Sequence, residues 1–300
     1  MDTLSRREAL LTALGSSAAA VAAKSPGVLA VPFGKHRVSR LIVGGNPVSG
    51  TSHLNNQLSR EMVDYFTSAN IKRMLRDCEH AGIDTWQSRG DRHILRILHE
   101  YRLEGGTIQW IGQTATEILF DRNLREMAGE APIGIYHHGS LTDRLWAAGK
   151  IDDARDNLKR IRDTGTRVGL GTHIPQVVDY VESKGWDVDF YMTCVYNLSR
   201  TKEEASRLAG RPVEDELFWD PDREEMLKRV KQTSRQCLIF KVYGATRHCD
   251  TRERMLSALR LAFQYAKPGD AIVVGMFPKY KDQVRENCQL VNEVLRAATS

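Results

Sequence analysis

The chain has 300 residues, 41% hydrophobic and 27% charged, which is the size of one α/β barrel with enough apolar material for a full core. Its net charge of +5 is spread along the chain without a block of like charges, so it carries no nucleic-acid footprint. Five cysteines (Cys78, Cys194, Cys237, Cys249 and Cys288) are widely spaced, with no Cys-x-x-Cys pair, which argues against a zinc ribbon and a disulfide framework.

Residues 1–30 read as a targeting segment and short linker. Arg6 and Arg7 stand just before an apolar run, Leu10 to Ala23, that contains the small-x-small pattern Ala20-Val21-Ala22. The run is shorter than the roughly 20 residues that a membrane-spanning helix needs. It resembles a bacterial twin-arginine export signal. That resemblance implies the Tat export machinery as a partner, a periplasmic or otherwise exported mature chain, and no stable membrane insertion.

Residues 31–300 read as a single domain in which short apolar runs alternate with longer amphipathic stretches, the signature of βα units around a parallel sheet. The expected strands are Leu41–Gly44, Thr85–Trp86, Ile108–Ile111, Ile133–Tyr136, Arg167–Leu170, Phe190–Thr193, Cys237–Val242 and Ala271–Val274. Helical patterns at Arg60–His80, Asp91–Tyr101 and Ile151–Asp163 are each followed by glycine, a C-cap signal. Eight such units predict a (β/α)8 TIM barrel. An open doubly wound sheet is the alternative, but no Gly-x-Gly-x-x-Gly follows the first strand. Ser199 to Asp222, polar and carrying Pro212 and Pro221, reads as a loop over the active-site face or as a passive insertion.

Several segments, in order, resemble an aldo-keto reductase. Gly34 to Asn46 is similar to that family's N-terminal hairpin entering strand one, and Ala81-Gly82-Ile83-Asp84-Thr85 to the end of its second strand. Ile135-Tyr136-His137-His138, Leu145 to Lys150, and Val168 to His173 take the places of strand four, the helix after it and strand five. Val195-Tyr196-Asn197-Leu198 follows strand six, and Val273 to Met276 with Gln283 to Asn287 resembles the segment that holds NADP phosphates. The resemblance implies an aldo-keto reductase-like barrel, with Asp84 and His137 in two of four catalytic positions. Arg89 replaces the family's proton-donating Tyr and Gln113 its Lys. It also implies that Thr172 and His173 hold the nicotinamide, and that Gly275, Lys279, Glu286 and Asn287 hold the rest of NADP.

The strand ends offer other chemistry. Lys241 lies in an apolar strand, where it can pair with Asp84, form a Schiff base, or assist Tyr243 in proton transfer. Asn46, Trp86, Gln87, Arg89, Gln113 and His138 are candidates for substrate contact. His137 and His138 alternate in direction, so one of them faces the barrel axis, and the family register favours His137. Three functions follow as expectations. The first is an exported oxidoreductase using NADP on a carbonyl or sugar-like small molecule. The second is a non-redox lyase, isomerase or epimerase with a divalent metal on His137 and His173. The third is a barrel that binds a ligand without catalysis.

Overall fold

A computed structural model describes residues 27–298. The twin-arginine motif at Arg6 and Arg7 lies outside the described residues.

The described chain begins with an antiparallel hairpin, β1 (Ala30–Phe33) and β2 (His36–Ser39), turned at Gly34 with φ of 61°. Eight parallel strands then close into a barrel: β3 (Leu41–Gly44), β4 (Thr85–Arg89), β5 (Gln109–Gln113), β6 (Gly134–His137), β7 (Arg167–Thr172), β8 (Phe190–Cys194), β9 (Gln236–Phe240) and β10 (Ala271–Gly275). Each pairs with the next, and β10 pairs with β3. Helices run between successive strands, so the fold is a (β/α)8 TIM barrel.

The barrel interior is filled by alternate residues of the strands, among them Ile42, Ile111, Tyr136, Phe190, Met192, Leu238 and Val273. Val31, Phe33 and Val38 of the hairpin join this cluster and plug the end at which the strands begin. Arg167 stacks over the Phe33 ring at 4.2 Å, which ties the plug to β7. Full burial of Phe33 stabilises by about 1.5–3 kcal/mol. Gly169 has a packing reason: a Cβ there would lie 2.4 Å from the Phe190 ring. A second cluster, including Leu75, Trp86, Leu98, Leu158, Val177 and Leu259, fills the space between strands and helices.

Local departures from expectation have local causes. The stretch Arg60–His80 divides into helices Asn56–Tyr65 and Ser68–Ala81, because Phe66 ends the first and Thr67 caps the second through its hydroxyl. Ser199 to Asp222 contains a helix, Lys202–Ala209, started by a Thr201–Glu204 capping box and stopped by Gly210 in the left-handed conformation. Strand β9 ends at Phe240 rather than Val242, because Lys241 takes a φ of 62°.

One departure inverts an assignment. Asp84 precedes β4 instead of ending it, since the strand runs on from Thr85 to Arg89. The Asp84 carboxylate accepts hydrogen bonds from the Ser39 N–H (2.8 Å) and the Thr85 hydroxyl (2.7 Å). It therefore fastens the hairpin to the base of the barrel, at the end opposite the strand C-termini.

Candidate active site

A cavity of about 570 Å³ opens where the strands end. Asn46, Gln87, Arg89, Gln113, His138, His173, Lys241, Tyr243, Gly275, Glu286 and Asn287 all line it, so most of the residues expected from the strand ends do converge.

Lys241 is placed by its backbone. Successive strand residues face opposite sides, yet both Phe240 and Lys241 line the cavity, because the left-handed backbone at Lys241 breaks the alternation. Such a conformation costs of order 1–3 kcal/mol in a residue with a Cβ. The ammonium nitrogen lies 3.0 Å from His53 Nε2 and 5.6 Å from the centre of the Phe218 ring. Burial lowers the Lys241 pKa, partly opposed by Cys194 and Glu216. His53 Nδ1 is 2.6 Å from Glu216 and donates to it, which leaves Nε2 to accept from Lys241 and from the Asn46 amide at 3.1 Å. Burial opposes ionisation of Glu216, but His53 and Lys241 outweigh it and lower its pKa. His53 and Glu216 come from the loops after β3 and β8, which meet over the barrel mouth.

A second charged pair stands at the end of β7. Asp143, buried in helix Gly139–Ala147, accepts from His173 Nδ1 at 2.6 Å, the Thr172 hydroxyl at 2.6 Å and the Ser199 hydroxyl at 2.7 Å. Burial disfavours a charged His173, yet Cys194 and Asp143 more than offset this and raise its pKa to about 10. Its hydrogen bonds to Asp143 and Cys194 thus favour the imidazolium form, and the ring lines the cavity.

His138, not His137, faces this space. His137 is fully buried on the helix side, with Nδ1 2.8 Å from the Thr142 hydroxyl, Nε2 3.2 Å from the Asn157 amide, and the Phe120 ring beside it. Burial, then His138, lowers its pKa to about 4. The family register was thus off by one residue, which on a strand means the opposite face. The proposed metal pair of His137 and His173 is not brought together. Among the described residues no group of three or more His, Cys, Asp or Glu side chains is arranged to hold a metal ion.

Other expected residues divide. Trp86 is fully buried among the helix-facing residues, so it does not stack on a substrate. Gln87 donates to the Tyr136 hydroxyl at 2.8 Å from the cavity wall. Tyr243 donates to Asn287 at 2.9 Å, and burial raises its pKa, the opposite of an activated phenol. Thr172 is buried and committed to Asp143, while Lys279 lies outside the cavity and pairs with Glu61 at 3.6 Å. Glu286 pairs with Lys281 at 2.8 Å. Of the six residues expected to grip NADP, His173, Gly275, Glu286 and Asn287 line the cavity and Thr172 and Lys279 do not, while Asp84 lies at the other end of the barrel. The residues that sequence reasoning missed are His53, Asp143 and Glu216, which come from loops and a helix rather than from strand ends.

No family model and no curated protein matches the chain. Among solved structures it is similar to a truncated 3-deoxy-D-arabino-heptulosonate 7-phosphate synthase from Thermotoga maritima, with a TM-score of 0.55 and 14% identity over 92% of this chain and 94% of that one. It is also similar to Gox0644 in its apo form, with a TM-score of 0.52 and 10% identity over 89% of this chain and 94% of the other. At such identities the likeness shows the barrel fold.

Proposed function

We propose that the barrel is a non-redox enzyme of the lyase, isomerase or epimerase kind, acting on the carbonyl group of a small sugar-like substrate through a Schiff base on Lys241. The observation that carries this reading is a desolvated amine, turned into the cavity by a left-handed residue and 3.0 Å from the His53–Glu216 pair. A lysine is nucleophilic only as the free amine, and burial favours that form.

The chemistry balances without an oxidant. Lys241 Nζ attacks the carbonyl carbon, forming the C–N bond, and its surplus proton passes to His53 Nε2 while Glu216 steadies the charge that develops on the ring. The oxygen takes one proton from His173 to become the carbinolamine hydroxyl and a second back from His53, and leaves as water. The resulting iminium draws electrons from the adjacent carbon, so a C–H or C–C bond there can break heterolytically. Protonation of the resulting enamine at carbon restores an iminium, to which water adds, releasing product and the free amine.

Reduction with NADP is the competing reading, favoured by Gly275, Glu286 and Asn287 standing on the same cavity wall as Lys241. The two are separated by treating the purified chain with hydroxyacetone and borohydride and mapping the modified residue by mass spectrometry. A reduced adduct on Lys241, absent from Lys241→Arg, supports the Schiff base. No adduct, together with stoichiometric nucleotide in the denatured supernatant, would overturn it in favour of the reductase.

A further inference from the structure

Opposite the lysine, the cavity wall is built almost entirely of hydrogen-bond donors. Arg89 ends β4 and pairs in register with Gln113 of β5, which in turn stands beside Tyr136 of β6. His138 follows two residues later and caps the helix Gly139–Ala147, whose first turn holds Ser140. All four of Arg89, Gln113, His138 and Ser140 line the cavity.

What three of these groups lack is acceptors. His138 Nδ1 accepts from the Ser140 N–H at 3.1 Å. Burial, reinforced by Arg89 and His173, lowers the ring's pKa to about 4, so the neutral ring carries its hydrogen on Nε2. Among the described residues that Nε2–H meets no partner, nor do the Gln113 amide and the Ser140 hydroxyl. The Arg89 guanidinium touches Glu117 and, at 3.9 Å, Asp91, while its Nε is buried without a hydrogen bond. A buried donor without an acceptor costs about 1–3 kcal/mol. Of these only the Arg89 Nε is buried; the His138, Gln113 and Ser140 donors are part-exposed on the cavity wall, and together they match a ligand group that accepts.

We infer that Arg89, Gln113, His138 and Ser140 form a subsite for a carboxylate of the substrate. The start of helix Gly139–Ala147 adds its own positive end to this wall. Charge favours the smaller anion: Arg89 already faces Glu117 and Asp91 and His138 is neutral, so a phosphate dianion would meet two nearby carboxylates with twice the charge of a carboxylate. Sugar hydroxyls, which donate as well as accept, would leave the wall incompletely matched. Resting on the Lys241 reading, the inference makes the substrate an oxo acid of sugar-like polarity, its carbonyl at the lysine and its carboxylate at the arginine.

The test avoids the lysine chemistry altogether. Gluconate, glucitol and glucitol 6-phosphate share one carbon chain, carry no carbonyl that could react with an amine, and differ in the terminal group. Calorimetric titration of the full chain should show gluconate binding at least tenfold more tightly than glucitol. Arg89→Met should abolish that preference, and His138→Gln should reduce it severalfold. Equal affinity for gluconate and glucitol, no binding of any of the three, or a preference that survives both substitutions overturns the subsite. Tighter binding of glucitol 6-phosphate than of gluconate overturns the carboxylate assignment in favour of phosphate. Because no Schiff base can form with these probes, a failure of Lys241 to be trapped and a failure of the subsite remain separate results.

Discussion

Asp143 Oδ2 sits 2.6 Å from His173 Nδ1, although the two residues belong to consecutive βα units and approach only when β6 and β7 pair. The carboxylate also accepts from the Thr172 hydroxyl and from the Ser199 hydroxyl beyond β8, which hold it in place against the imidazole. Replacing it separates orientation from charge. Asp143→Asn should lower the His173 pKa from about 10 towards the ordinary 6.5, read from the imidazole resonances by NMR titration. A titration unchanged near 10 would mean that Asp143 does not hold the proton.

The pH dependence of Lys241 trapping follows from two shifts of opposite sign. The amine must be neutral, so adduct formation should rise with pH through a midpoint below the ordinary lysine value of 10.5. The donor must be protonated, so the rate should fall as His173 loses its proton near pH 10. A bell with its acid limb below pH 10 is expected. His53→Ala should slow trapping at least tenfold at neutral pH by removing the acceptor for the lysine proton. A plain rise at the pH of a solvated lysine would contradict the assigned environment.

Acid stability should be governed by two buried histidines. Both His137 and His138 have pKa values lowered to about 4, so the unfolded chain binds more protons than the folded one between about 4 and 6.5. Their neutral forms therefore favour the fold above pH 6.5, and that contribution is lost as pH falls through 4. For His137 it is on the order of 3 kcal/mol. Urea midpoints measured from pH 7 to pH 4 should drop steeply in the wild type. His137→Gln should lower the midpoint at pH 7 and flatten the slope.

Asp84 offers the sharpest contrast with the family resemblance. Asp84→Ala should destabilise the fold by about 1–3 kcal/mol, because the Ser39 N–H loses its acceptor at the barrel base. Trapping at Lys241 in the folded fraction should be unchanged. A large loss of trapping without loss of stability would restore Asp84 to the chemistry.

Overpacking should be equally local. Gly169→Ala puts a methyl group 2.4 Å from the Phe190 ring, which also packs on Phe33 with centroids 5.1 Å apart. The expected loss is about 1–3 kcal/mol, seen as a lower melting temperature with no change in gluconate affinity.

The barrel was legible in the sequence because strands buried on both faces read as apolar runs such as Leu41–Gly44 and Ala271–Val274, and glycines after the amphipathic stretches mark helix ends, as Gly82 does. The site was legible only where it stands on strand ends: Gln87, Gln113, His173 and Lys241 face one space as expected. Register defeated the rest. Whether His137 or His138 points inward turns on one residue, and whether Asp84 opens or closes its strand turns on where a five-residue strand begins. His53 and Glu216 lie far apart in the chain and meet only across the mouth, and Asp143 is one acidic helix residue among many, so no periodicity marks them.

The hairpin of Ala30 to Ser39 has a kinetic meaning as well as a structural one. With Phe33 and Val38 filling the lower end, the described residues leave the cavity a doorway at the strand C-termini, where the His53–Glu216 contact joins two loops. Whatever arrives must leave by the same route, past the same latch. Product should therefore compete directly with incoming substrate, and the opening of two loops, rather than bond breaking, can set the pace of turnover.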